Sequence, residues 1–201
     1  MTEKAQQASD APTLPQAVLV ELLLGGLGLI VIVASGRGSS AFSAPIAPVV
    51  AVAVGVLVGA ALGGLVGLFL VRPPLAARVQ PFLRRFTTAR PTAINFVILG
   101  LAAAIGEETL FRAAIQPLLG VGVAAVLFTL AHAPIADLRH LTRGKLSYVA
   151  LAFAMGLLLG FLYDVAGLAA SMGAHAAFDA TLLIVIAPLI RVQLVAAPKP
   201  T

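Results

Sequence analysis

The sequence predicts an all-α protein, a polytopic transmembrane bundle of about six helices. Three observations lead there. Of 201 residues, 60% are hydrophobic and only 10% are charged, against roughly 25% charged in an ordinary soluble domain. So few charges cannot cover a soluble fold of this length, whereas bilayer lipid asks for this composition. Apolar runs recur at lengths suited to crossing a bilayer, and the basic residues fall between the runs. Disorder is excluded by the same composition, because disordered chains are poor in apolar residues.

Residues 1–13 (MTEKAQQASDAPT) are polar and are expected to form a short disordered tail. The tail is not basic and the apolar run after it is long, which argues against a cleaved signal peptide. The spans read as 16–34, 47–71, 93–119, 120–133, 147–163 and 166–187. Each should be helical, since lipid offers no water to unpaired backbone groups. The fourth falls short of the ~20 residues of a full crossing, so it is expected to tilt, to be buried or to extend into its flanking loop. Between the second and third spans, 72–92 (RPPLAARVQPFLRRFTTARPT) mixes prolines, arginines and spaced apolar residues. It reads as an amphipathic stretch on the cytoplasmic membrane surface. The chain is thus divided into the tail 1–13, N-terminal helices with the interfacial segment 14–92, and a C-terminal helical region 93–190 that holds the polar clusters described below.

The net charge is +5. Because the basic residues sit between apolar runs, they point to anionic lipid headgroups rather than nucleic acid. With the N-terminus inside, 11 of the 13 Lys and Arg lie on the inner side: Lys4, Arg72, Arg78, Arg84, Arg85, Arg90, Arg139, Arg143, Lys145, Arg191 and Lys199. Arg37 alone lies outside and Arg112 falls within a span. The positive-inside rule then favours an even number of crossings with both termini cytoplasmic. The richness in Ala, Gly, Val and Arg suggests a bacterial cell membrane. With no cysteine, a disulfide framework, a thiolate zinc site and a cysteine nucleophile are excluded.

Gly55, Gly59, Gly63 and Gly67 recur every four residues in the second span. They share one helix face and allow close approach of another backbone within the bundle. Gly156 and Gly160 repeat the spacing in the fifth span.

Three clusters break the apolar pattern: Gly106-Glu107-Glu108-Thr109-Leu110-Phe111-Arg112, Phe128-Thr129-Leu130-Ala131-His132, and His175-Ala176-Ala177-Phe178-Asp179. A charge at the bilayer centre costs about 3 kcal/mol on insertion scales, so such residues face the bundle interior and have partners. Glu108 and Arg112 are four apart in the acid-first order that favours an ion pair. Glu107 lies about 100° round the helix and stays available. His175 and Asp179 share a face, and His132 comes from another helix. Each group alone has a structural reading, as an ion pair or a hydrogen-bonded interior histidine. Several titratable groups on three helices of one small bundle point instead to chemistry, with a buried carboxylate as general base. The third histidine, His140, lies in the basic loop 134–146 beside Asp137, Arg139 and Arg143 and is expected to face solvent or headgroups.

The run Glu107-Glu108-Thr109-Leu110-Phe111-Arg112, followed by Gln116-Pro117-Leu118-Leu119, resembles the EExxxR motif of the CAAX-protease and bacteriocin-processing family, intramembrane endopeptidases related to the type II CAAX prenyl proteases. Phe128 to His132 resembles its FxxxH motif. Met155 to Tyr163 and then His175 to Asp179 resemble its last region. The resemblance covers roughly residues 95–185. It implies a helical membrane peptidase in which Glu107 and His132 activate the attacking water. His175 and Asp179 would stabilise the oxyanion, and Glu108 and Arg112 would support the site. The same resemblance leaves open a divalent metal such as zinc, held by Glu107, His132, His175 and Asp179; a metal-free glutamate mechanism with no obligatory cofactor is favoured. The chain departs from the prenyl proteases at Asp179, where they carry Asn, and at Ala113, where glycine is common. An ionised Asp cannot donate to an oxyanion, so Asp179 is protonated, orients His175 or ligates a metal.

The expected activity is therefore cleavage of a membrane-associated peptide or protein, with lipid and substrate as partners and no nucleic acid. A non-enzymatic immunity, scaffold or regulatory protein of the same fold is the alternative. A proton-coupled transporter would need a continuous polar path, and the sequence offers one polar cluster.

Overall fold

A computed structural model describes residues 13–72, 92–132 and 143–196. The tail up to residue 12, the interfacial stretch 73–91 and the loop 133–142 with Asp137, Arg139 and His140 lie outside the described residues. The helices are α1 (Leu14–Ala34), α2 (Pro48–Leu70), α3 (Ala93–Glu108), α4 (Gln116–His132), α5 (Arg143–Ala166) and α6 (Leu168–Ala196). A 3₁₀ turn, Gly38–Phe42, lies between α1 and α2, and a π-helical segment, Thr109–Ile115, continues α3 into α4. Among the described residues no strand occurs, as the sequence led us to expect.

The helix starts follow local chemistry. Gln16 Oε1 accepts from the Thr13 backbone N–H at 2.8 Å and from its hydroxyl at 3.0 Å, with Pro15 in the first turn of α1. Pro48 opens α2 in the same way, where its missing N–H is no loss. At α3 the Thr92 hydroxyl accepts from the Asn95 N–H at 3.3 Å, a side-chain cap on an otherwise unpaired donor.

Five stretches are long and apolar enough to cross a membrane, and one of them, Ala93–His132, is 40 residues. As a straight helix it would be ~60 Å long, about twice the hydrocarbon thickness. It is not straight. Gly120 has φ 83° and ψ 163°, a left-handed-side conformation open to glycine and costly for other residues. The chain turns back there. Glu107 faces His132 at 3.6 Å, and the Phe111 and Phe128 rings lie 5.4 Å apart. Both pairs are nearly symmetric about Gly120, whereas a straight helix would hold Glu107 and His132 ~37 Å apart. The expected third and fourth spans are thus the two legs of one hairpin.

The remaining packing is read from the glycines. A Cβ at Gly55, Gly59, Gly63 or Gly67 would collide in turn with Ala170, Ala174, Phe178 and Val185. The glycine stripe therefore lies against α6 alone, and the ascending order shows that α2 and α6 run parallel. At Gly25 a Cβ would meet Gly106 Cα at 3.3 Å, and at Gly28 it would meet Leu110 Cα at 2.9 Å. Hence α1 and α3 are also parallel. Gly156 and Gly160 face Ala125 and Val121, so α5 runs against the second leg of the hairpin. Together these pairings make successive segments alternate in direction, which returns the end of α6 to the side where α1 begins.

The fifth and sixth helices run Arg143–Ala166 and Leu168–Ala196, and their apolar spans, Lys145–Ala166 and Leu168–Ala187, lie close to the runs read as 147–163 and 166–187. Helical hydrogen bonding does not stop where apolarity does; it stops at Gly167, whose φ of 88° breaks α5 from α6.

Gly59 and Gly64 separate close packing from helix propensity. Gly59→Ala forces a Cβ into the Ala174 carbonyl, whereas a Cβ at Gly64 meets only Thr181 Cγ2 at 3.8 Å. Gly59→Ala is expected to destabilise the detergent-solubilised protein by about 1–3 kcal/mol. Gly64→Ala should cost nothing in the same thermal or SDS unfolding measurement.

Candidate active site

The site begins with the Glu108 carboxylate, which is fully buried. Arg112 Nε stands 3.1 Å from Glu108 Oε2. The Ser171 hydroxyl donates to the same oxygen, and His175 Nδ1 lies 2.9 Å from Oε1. A carboxylate with one ion pair and two hydrogen bonds is compensated even at this depth. Because its partners come from the same chain stretch and from α6, it ties α3 to α6. The expected pairing of Arg112 with Glu108 is present, and Arg112 also stacks over the Phe128 ring at 4.9 Å.

The π-helical segment carries Arg112 at its middle. Its wider turn leaves backbone carbonyls less regularly paired, and such segments recur at functional sites. Arg37, from the turn after α1, donates through Nη1 to the Ala113 carbonyl at 3.4 Å. Ala113, where related proteins often have glycine, is completely buried with Ile32, Ala41 and Leu168, so the methyl group is accommodated in a packed cluster.

Glu107 points the other way from Glu108. It is 8% exposed, and its Oε2 has no hydrogen-bond partner. Across from it, 3.6 Å away, is His132 Nε2. That distance is too long for a good direct hydrogen bond. His132 Nδ1 lies 2.9 Å from the Phe128 carbonyl oxygen. A carbonyl only accepts, so Nδ1 carries the proton and Nε2 presents its lone pair toward Glu107. The Phe128 ring packs on His132 with centroids 4.3 Å apart and on His175 at 5.9 Å. One phenyl ring thus sets both imidazoles.

His175 is buried, held at Nδ1 by Glu108, and its Nε2 lies 3.5 Å from Asp179 Oδ2. Asp179 is the more open of the two, with 30% of its side chain exposed. Of the roles left open for Asp179, this placement matches orientation of His175. Among the described residues no three His, Asp or Glu side chains converge as a set of metal ligands.

The motif reading missed two residues. Ser171 gave no warning, since a serine among small residues looks like packing. Glu21 did leave a signal, as the sole acid in the apolar run of α1. Its backbone occupies the space that a Cβ on Gly106 would need, which sets it beside the Glu107 turn of α3. Tyr148 also comes within electrostatic reach of Glu107 and Asp179.

The fold and the site define a membrane-embedded helical bundle whose interior carries an acid–imidazole centre. Residues 89–181 match the model of the type II CAAX prenyl endopeptidase Rce1-like family. All three motifs lie inside that segment, so over just under half of its length the chain is similar to the CAAX-protease family. No curated protein sequence and no solved structure matches the chain.

Removing either charge of the Glu108–Arg112 pair strands the other in the core. Glu108→Gln and Arg112→Met are each expected to destabilise the protein by about 3–5 kcal/mol. Replacing both together should cost less than the sum of the two, as a double-mutant cycle on unfolding will show.

Proposed function

We propose that the protein is an intramembrane endopeptidase that hydrolyses a peptide bond of a membrane-associated peptide or protein by glutamate-activated water. The observation that carries this reading is the pair formed by Glu107 and His132: an unpartnered, buried carboxylate oxygen facing an imidazole lone pair across a gap. A water between them would hydrogen-bond to both. Glu107 takes its proton while the hydroxide oxygen bonds to the scissile carbonyl carbon. The carbonyl π electrons move to its oxygen, giving a tetrahedral oxyanion. His175, held at Nδ1 by Glu108 and facing Asp179 through Nε2, would when protonated share its Nε2 hydrogen between Asp179 and that charge. Collapse of the intermediate breaks the C–N bond, and Glu107 returns its proton to the departing amine. Glu108, Arg112 and Ser171 position His175 and touch no reacting atom.

The distribution of Lys and Arg supports a cytoplasmic position for the basic end of the bundle, where both α1 begins and α6 ends.

The test uses the purified protein in detergent with a quenched fluorescent peptide library. Glu107→Gln and His132→Ala should each lower cleavage about 10²–10⁴-fold, with unfolding temperatures close to wild type. Cleavage that survives Glu107→Gln would remove Glu107 as the base. Loss of activity with chelator, restored by zinc, would replace the metal-free mechanism with a metal-dependent one. A wild type that binds peptides without cleaving any would favour the non-enzymatic reading.

A further inference from the structure

Glu21 stands outside the family-matched segment, yet it belongs to the site. It lies in the apolar helix α1 and packs by its backbone against Gly106, next to Glu107. An ionisable group inside a membrane span has a partner or a task. Its Oε2 is buried and has no hydrogen-bond partner. The groups with which it interacts most strongly are Glu107, His175, His132 and Asp179, and none of them is a permanent cation. Arg112, the cation of the site motif, is committed to Glu108 in a fully buried pair.

Glu21, Glu107 and Asp179 therefore bring three carboxyl groups to one region, and the motif's own cation is not the one that answers them. Glu107 adds its own unpartnered oxygen to that region while more than nine-tenths buried. A site of this sign, walled by apolar side chains, concentrates cationic ligands. Catalysis by the Glu107–His132 pair does not call for a further acid on α1, and packing against Gly106 uses only the Glu21 backbone. What remains for the side chain is recognition.

We propose that Glu21 is a specificity-determining residue whose carboxylate receives a positively charged group of the substrate, a lysine or arginine side chain or a free α-amino group, beside the bond to be cut. The proposal takes its substrate class from the endopeptidase reading, but its test reads binding and does not need turnover. The full-length Glu107→Gln protein in detergent is titrated with a fluorescein-labelled, Ala/Leu-rich decapeptide carrying one central arginine. The same peptide with citrulline, nearly isosteric and uncharged, is its control. The arginine peptide is expected to bind about tenfold more tightly, with the difference shrinking as salt is raised.

Adding Glu21→Gln, which keeps the side-chain shape, should bring the two peptides to within about twofold of each other; Glu21→Lys should invert the order for a matched glutamate peptide. Unfolding temperature is followed for each variant. Equal binding of the arginine and citrulline peptides before any change at Glu21 overturns the proposal without need of a mutant. An arginine preference that persists in Glu21→Gln also overturns it, placing recognition elsewhere. If the preference follows Glu21 while wild type cleaves no peptide, the endopeptidase reading falls and the cation site stands.

Discussion

The buried Glu108 carboxylate is the contact on which the rest of this structure depends. Its negative charge is tolerable only because Arg112, Ser171 and His175 all point at it. Meeting that demand fixes where α6 lies against α3 and how far along its axis. It also fixes the His175 ring, whose other nitrogen is thereby turned toward Asp179. Arg112, drawn to Glu108 from inside a π-helical turn, is left to stack over Phe128, and Phe128 in turn seats His132. One electrostatic requirement thus propagates through four side chains to the two imidazoles. The adjacent residue, Glu107, shares the helix but not the partners, and so remains open to a ligand.

The helices supply what this centre needs by approaching unusually closely. Glycine on α1 meets glycine on α3, and the α2 stripe lies on the backbone of α6. Between apolar helices in lipid there is no hydrophobic gain from association, so packing at short range and interhelical hydrogen bonds must hold the bundle together. The two devices are divided here. Small-residue packing operates along the α2–α6 seam, and hydrogen bonds operate between α3 and α6. A third polar tie, from Gln116 to the Gly160 carbonyl at 3.0 Å and to Asp164 at 2.8 Å, secures the hairpin to α5 at the opposite end from His132.

Much of this was legible from residue types. Composition and apolar spacing imply a helical membrane bundle, and the four-residue interval from Glu108 to Arg112 implies their pairing. The glycine spacing implies a tight seam, though not which helix would fill it, because any small-residue face could serve. The π-helical segment was not legible: nothing in the residue types from Thr109 to Ile115 marks it, and it coincides with the buried Arg112 and the contact from Arg37, which only the tertiary structure shows. The turn at Gly120 was visible as a boundary between spans 93–119 and 120–133, but its tightness was not, since glycine sits as readily within a membrane helix as at its end. Glu21 escaped because a motif reading looks for patterns, and a single acid has none. Only the packing of α1 on Gly106 reveals what it is near.

That packing bears on what the smallest working piece of this molecule is. The family-matched segment 89–181 contains the three motifs and reads as a module. It does not carry its own walls. The Gly106 face of α3 is closed by α1, and the Ala170–Ala174 face of α6 is closed by α2. Excised, the segment would bare on both faces backbone that native neighbours approach closely, and Glu107 would lose the helix that shields it from lipid. The N-terminal pair of helices is therefore better regarded as the casing of the family-matched segment than as an appendage. Chimeras that graft 89–181 onto another protein's first two spans would have to carry the matching glycines with them.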